Sequence, residues 1–388
     1  MNEPFELYST KIDADPYPYY NELRNRYPCY WSKSANIWFL SRFEDVAAAG
    51  LDWQTYSSLS GNMVDEIPGR SGGTLGTTDP PRHDRLRGLV QFAFAKKNLA
   101  EAEITSVRSA ERALSGLKGR SHFDFVSEFS STITVETLFD LLGLPASDPV
   151  KIRKNVVLSI STDKANRGRN QELNEAFFQL TGFISELVEQ RRMSPADDLI
   201  TRLAESEIDG DRLSQREIVL TATMFVVAGI ESLSSFMSMF ALNLATHSEA
   251  RKRLVESRDL IPQAIEESLR YNTSAQRFKR VLTRDVTLHG QEMKAGDSIV
   301  LMYGAANRDE RKFPDPDVYN IDRNPRGHLG FGIGKHFCIG STLARMVAAR
   351  TMECFLQQFP DLSLAADKID WVPSSNFRTP VSLPLRVR

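Results

Sequence analysis

One stretch limits what this chain can fold into more than any other: His328-Leu-Gly-Phe-Gly-Ile-Gly-Lys-His-Phe-Cys-Ile-Gly-Ser-Thr-Leu-Ala-Arg345. Gly330, Gly332 and Gly334 open backbone angles closed to other residues, which predicts a tight, specifically shaped turn. The turn runs into a single cysteine. Beyond it Ile339, Leu343, Val347, Ala348 and Met352 recur at helical spacing. Cys338 therefore lies at or just before a helix N-terminus, where free N–H groups and the dipole favour a thiolate. A thiolate there is a candidate metal ligand, and the competing reading is a small buried hydrophobe. Gly332-Ile-Gly334 makes a poor dinucleotide loop, because Phe337 stands where the third glycine belongs and no clear βαβ unit surrounds it. A structural zinc needs about four Cys or His ligands, and the other cysteines, Cys29 and Cys354, are remote in sequence.

Three further stretches carry chemistry. Asp79-Pro80-Pro81-Arg82-His83 predicts a helix start, with an acidic cap and prolines in the first turn. His83 and Arg87 share a face of that helix and, taken alone, read equally as a solvated patch. Ser214-x-x-Glu217 is a capping box. It opens a long apolar helix, from about Gln215 to Ala245, that should cross the interior and that carries Ala228, Gly229, Glu231 and Ser232. A carboxylate in an apolar helix is costly unless it is partnered, functional or turned to solvent at the helix edge. Glu267 and Arg270 share a helical face, which as a surface ion pair would contribute little.

At Phe331-x-x-Gly334-x-x-x-Cys338-x-Gly340 the chain resembles the haem-binding loop of the haem-thiolate monooxygenases, the cytochromes P450. The other three stretches stand in that family's order. The resemblance implies a mainly α fold with small β-sheets, a helical triangular prism around a buried haem. It would be a single domain over 1–388, β-rich to about residue 75 and a helical core with the haem site from about 76. It implies haem b on Cys338, with Phe331, Gly332, His336, Gly340 and Ala344 around it and with His83, Arg87 and Arg280 on its propionates; cations suit such carboxylates. Ala228-Gly229-x-Glu231-Ser232 stands where the family usually has Ala-Gly-x-Asp-Thr, so this chain departs at both polar positions while keeping acid then alcohol for proton delivery. Glu267, Arg270 and Arg323 are implied to form a buried structural triad. Two helices and a loop within 150–192 are implied to cover the substrate channel, and Val226, Val227, Ala275, Gln276 and Phe377 to line the pocket.

The activity implied is insertion of one oxygen atom of O2 into a C–H bond, by hydroxylation or O-dealkylation, of a small to medium apolar organic molecule. An axial thiolate favours O–O cleavage. Nothing in the chain resembles a flavin or iron–sulfur segment, so electrons are expected from a separate ferredoxin and ferredoxin reductase. A small acidic ferredoxin would meet Arg85, Lys96, Lys97, Lys335 and Arg345. A peroxide-using haem-thiolate enzyme, an electron-independent rearranging enzyme and a haem-based sensor are the alternatives.

Composition agrees with an enzyme-sized globular chain. With 388 residues, 41% hydrophobic and 25% charged, a large core is available. No run of about 18 apolar residues and no charged-then-apolar leader is seen, which predicts neither a membrane span nor a signal peptide. Three cysteines fit a reducing, cytoplasmic compartment. A net charge of −2 gives no sign of nucleic-acid binding. Elsewhere the pattern predicts a short helix over 17–26 and a hairpin from Cys29-Tyr-Trp-Ser and Ile37-Trp-Phe-Leu. A long irregular loop follows over 55–78, then amphipathic helices broken at Gly119, Gly143 and Gly168, and strands near 278–281, 286–288 and 298–302.

Overall fold

A computed structural model describes residues 3–145, 149–208 and 210–388. Its organising element is the helix Gln215–Thr246, 32 residues, roughly 48 Å long at 1.5 Å per residue. Ser214 caps it as the capping box predicts: its hydroxyl accepts from the Glu217 N–H, and the Glu217 carboxylate accepts from the Ser214 N–H at 2.9 Å. By length and composition this helix could cross a membrane, which corrects the expectation that no segment could. However, 72% of its apolar stretch is buried inside the fold, so its hydrophobicity is that of a core helix.

Helices Ser131–Leu142, Pro149–Ile160 and Gln171–Met193 pack on this central helix, and Lys96–Leu117 bridges from Ser131–Leu142 to Ser341–Gln358. Small residues set the closest approach. A Cβ on Gly229 would stand 2.6 Å from Leu138 Cδ1. One to two turns further along, Ser130 and Ser131 hydrogen-bond Ser234 and Ser238 at 3.0 Å. Buried hydroxyls satisfied across a helix pair cost little and fix the register.

The predicted hairpin forms, with Cys29 opposite Leu40 in an antiparallel pair Cys29–Ser32 and Ile37–Leu40. It does not close its own sheet. Ile37–Leu40 pairs in parallel with Ser298–Leu301, which continues through Phe278–Leu282 to Tyr56–Ser57, so the five-stranded sheet draws strands from both ends of the chain. A strand Gln291–Met293 that periodicity did not show pairs with Val286–Leu288.

Between the last strand of this sheet and the helix Arg82–Val90, residues 58–78 form the long loop. It is pinned to the central helix: Arg216 Nη2 donates to the Gly69 carbonyl at 3.0 Å, and Gly73 leaves no room for a Cβ beside Leu220. Asp79 does not cap the Arg82–Val90 helix, whose N-cap is Pro81 without a side-chain bond. Its carboxylate accepts instead from the Ser57 hydroxyl and the Ser58 N–H, tying the loop's two ends together. Two backbone-compatible partners twenty residues back outcompeted the local cap.

Candidate active site

The Cys338 loop takes the predicted shape with one difference. Gly332 and Gly334 are left-handed, with φ of 71° and 68°. Gly330 is not, and its constraint is space, since a Cβ would lie 2.8 Å from the Leu269 carbonyl oxygen. The Cys338 N–H donates to the Phe331 carbonyl at 2.9 Å, closing the turn. The helix Ser341–Gln358 follows with Gly340 as its N-cap. Cys338 is exposed, and what it is exposed to is an internal cavity. Burial nevertheless pushes its thiol pKa up, against the pull of the Gly340 N–H, Arg87 and Arg345.

Beneath the loop, Glu267 and Arg270 are fully buried and paired at 2.7 Å. Arg323 reaches Glu267 at 3.2 Å, and Arg270 also donates to the carbonyls of Asn307 and Pro316. The three residues come together as expected and fasten the helix Ile261–Tyr271 to the 307–323 segment. Beside them, Arg345 and His328 both grip Glu266. Burial alone would raise that carboxyl, but these hydrogen bonds hold it at about 2.

A cavity of about 360 Å³ is lined by the Cys338 loop and by one face of the central helix. Among the helix residues that line it, Met224, Ala228, Glu231, Ser232 and Ser235 repeat at three, four and seven along one face, and Phe225, Val227 and Phe236 flank that face. Ala228 is exposed to the cavity in the middle of a mostly buried helix. Glu231 is only 3% exposed, so the solvent-edge reading fails. Its Oε1 accepts from the Thr379 hydroxyl at 2.9 Å, while Oε2 is buried without a partner. Burial pushes its pKa up, with Arg153 and Thr379 pulling back. The Ser232 hydroxyl donates to the Ala228 carbonyl one turn earlier.

Of the residues expected in the substrate pocket, Val227, Ala275 and Phe377 line the cavity and Val226 and Gln276 do not. Val226 lies half a helical turn from the Ala228 face and is buried in packing. Gln276 alternates away from Ala275 in extended backbone; its amide accepts from the Tyr20 hydroxyl at 2.7 Å and donates to the Thr273 carbonyl. Of the two helices expected to cover the channel, Pro149–Ile160 reaches the cavity through Ile160, and Gln171–Met193 packs on that helix and on the central helix without lining the cavity.

Phe331, Gly332, His336, Gly340, Ala344, Arg87 and Arg280 all line the cavity beside Cys338. His83 stands behind them, its ring 4.7 Å from that of His336 and its Nε2 buried without a partner. Burial lowers the pKa of both histidines, His336 to about 4, where Arg280 and His83 add to the depression and Asp79 opposes it. Two arginines and an unsatisfied ring nitrogen at one edge form a site for negative charge. A family model named Cytochrome P450 matches residues 8–370.

The chain belongs to the cytochrome P450 family. It is 33% identical to the steroid C26-monooxygenase of Mycolicibacterium smegmatis over 88% of this chain and 86% of that one. It is 32% identical to the mycinamicin IV hydroxylase/epoxidase of Micromonospora griseorubida over 90% and 89%. The solved structure of cytochrome P450 CYP109Q5 from Chondromyces apiculatus superposes with a TM-score of 0.89 at 28% identity, covering 99% of this chain and 98% of that one. The fold is thus the P450 fold, and the protein is a monooxygenase of a haem-iron family that uses O2, redox partners and organic substrates.

The residues present fit a haem. Cys338 offers one thiol from the wall opposite Ala228, with Arg87, Arg280 and His336 at one edge. Among the described residues no group of three or more His, Cys, Asp or Glu side chains could hold a bare metal ion. A single sulfur ligand therefore suits a metal that arrives already held by a group of its own. Of the five basic residues expected to meet a redox partner, Lys96 is exposed. Arg85 is held by Asp211 and Glu217, Lys97 by Glu101, Lys335 by Asp84 and Arg345 by Glu266.

Sequence reasoning missed several cavity residues: Arg70 and Asn62 of the loop, Leu138, Met224 and Thr379. Met224 stands one turn before Ala228 on the predicted helix face, a spacing that could have found it; the others sit in no spaced motif, so no local signal marked them. Thr379 in particular is brought to Glu231 only by the folding of the C-terminal turn.

Proposed function

We propose that this protein is a haem b-dependent monooxygenase that hydroxylates or O-dealkylates a small to medium apolar organic substrate, in the cytoplasm, with electrons from a separate ferredoxin and ferredoxin reductase. The observation that carries the reading is that Cys338 and the Ala228–Ser232 segment, far apart in sequence, line one predominantly apolar cavity. In this reading Cys338 would hold the haem iron through its sulfur, and Arg87, Arg280 and His336, backed by His83, would hold the propionates. When bound, the haem supplies the reductive activation of dioxygen and the oxygen transfer, which an axial thiolate favours.

The chain's own part is to exclude water, position the substrate and deliver protons. Phe94, Phe225, Leu138 and Phe377 wall the cavity. Glu231, its pKa raised by burial, is held toward the neutral form and can donate from the oxygen that lacks a partner. Ser232 must exchange its bond to the Ala228 carbonyl for one into the cavity, a rotation open to serine. The named activities of the two relatives, a steroid C26-monooxygenase and a mycinamicin IV hydroxylase/epoxidase, support oxygen insertion into an organic substrate.

The test is nicotinamide consumption by the haem-loaded protein with a ferredoxin and its reductase, across compounds that shift the haem to high spin. Substrate-dependent consumption with oxygenated product supports the reading. Product formed equally well from peroxide alone, with none from the electron-transfer system, overturns it in favour of a peroxygenase.

A further inference from the structure

We propose that Arg70 is a specificity-determining residue that binds a neutral carbonyl oxygen of the substrate, a ketone, ester or lactone, about one helical turn along the central helix from Ala228. This deepens the reading of the cavity as a haem and substrate site, and it rests on that reading.

Arg70 is 1% exposed, yet it lines the cavity. Its guanidinium has five N–H donors. Nε donates to Glu66 Oε1 at 2.7 Å, and Nη2 donates to Glu66 Oε2 at 2.8 Å and to Asn62 Oδ1 at 2.6 Å. That leaves the two N–H groups of Nη1. Their one partner among the described residues is the Met224 sulfur, 3.9 Å away and itself on the cavity wall. A thioether is a weak acceptor. Leaving charged donors so poorly satisfied in a buried site is costly unless something arrives to accept them.

The acceptor's class follows from the charge already present. Glu66 holds two edges of the same guanidinium, so a substrate carboxylate would bring a second anion against Glu66 in a desolvated site. A carbonyl oxygen accepts from Nη1 without that penalty. The donor is also held ready. Glu66 is fixed by the Met63 N–H at 3.0 Å, and the loop is fastened to the central helix through Gly69 and Arg216.

The placement sets where oxidation falls. Met224 precedes Ala228 by four residues, on the same helix face and on the order of 6 Å away along the axis. A substrate held at Arg70 presents to Ala228 and Cys338 a carbon several bonds from the carbonyl, not the adjacent one.

The experiment uses haem-loaded protein and three probes of equal chain length: a medium-chain methyl ketone, the alkane and the fatty acid carboxylate. Binding is read from the high-spin shift. The wild type should bind the ketone about tenfold tighter than the alkane, one net hydrogen bond of about 1.4 kcal/mol, and tighter than the carboxylate. Because Arg70→Met alone would strand Glu66, the variant is Arg70→Met with Glu66→Gln, its fold checked by the thiolate-type carbon monoxide spectrum. In it the ketone preference should vanish while alkane affinity holds. A ketone preference that survives in the folded double variant overturns the proposal, as does a wild-type preference for the carboxylate. If the wild type takes up no haem, the cavity reading itself fails, before any probe is added.

Discussion

The two walls of the cavity are made in different ways. The Cys338 wall is one continuous stretch, closed by its own hydrogen bonds and braced by the Glu267–Arg270–Arg323 triad and by Arg345 and His328 on Glu266. The opposite wall is assembled from the 58–78 loop, the helix Ser131–Leu142, the central helix, residues 274–278 and the C-terminal turn. The first wall pairs its buried Glu266, Glu267 and Arg270, and among its described residues only His83 Nε2 behind it lacks a partner. The second keeps Glu231 Oε2 without a partner and Arg70 Nη1 on a sulfur. The difference teaches that this molecule spends rigidity where a ligand atom must not move, and leaves bonding capacity free where an incoming molecule must be read.

Four measurements can break or sharpen that contrast. The largest effect belongs to Cys338→Ala, which should abolish the strongly red-shifted ferrous carbon monoxide band and product formation. Retention of both would remove the rigid wall's purpose. Next, Arg270→Ala leaves the fully buried Glu267 with Arg323 as its one remaining cation and should cost roughly 3 kcal/mol in denaturant unfolding. On the other wall, Thr379→Val should cost only about 1 kcal/mol. Equal costs would erase the distinction in rigidity.

Third, Ser232→Ala and Glu231→Gln should each lower coupled turnover by at most about 10²-fold, with little change in substrate affinity. Product and hydrogen peroxide per nicotinamide consumed are the quantities to follow. Wild-type coupling in both variants would mean that the unsatisfied groups of this wall do not serve proton delivery.

The last measurement concerns pH. Glu266 sits at about 2 in the folded protein against an ordinary 4.5. Between those values the unfolded chain holds the extra proton. The contribution to stability is therefore complete above about pH 4.5 and is lost as pH falls toward about 2. Allowing for the partly exposed carboxylate, it is on the order of 2 kcal/mol. Glu266→Gln should be destabilised by that amount near neutrality and converge on the wild type in strong acid; a constant offset at all pH values would contradict the ion-pair account.

Much of the fold was legible because its signals are local. The helix over 17–26, the aromatic hairpin and the capped central helix stand where periodicity and capping chemistry put them, the last ending at Thr246. Cys338 was legible for the same reason: a glycine-shaped turn and the helix after it are written in consecutive residues. The central helix does cross the interior as its capped apolar pattern predicts, although its length and composition alone would also allow a membrane span, since composition does not tell lipid from protein as a surrounding.

What sequence determined by itself, then, is each element whose partners lie within a few residues: the cysteine turn, the capped helix and the Glu267–Arg270 face. Tertiary structure alone decided the rest. It took Asp79 from its helix to Ser57 and Ser58, turned Val226 and Gln276 out of the cavity, and brought Thr379 to Glu231 and Met224 to Arg70. The physical reason is range. Turn angles, caps and helical faces are set by bonds spanning at most about four residues. Burial, by contrast, and with it the identity of the groups that share a desolvated space, depends on which distant segments pack together, which no local spacing encodes.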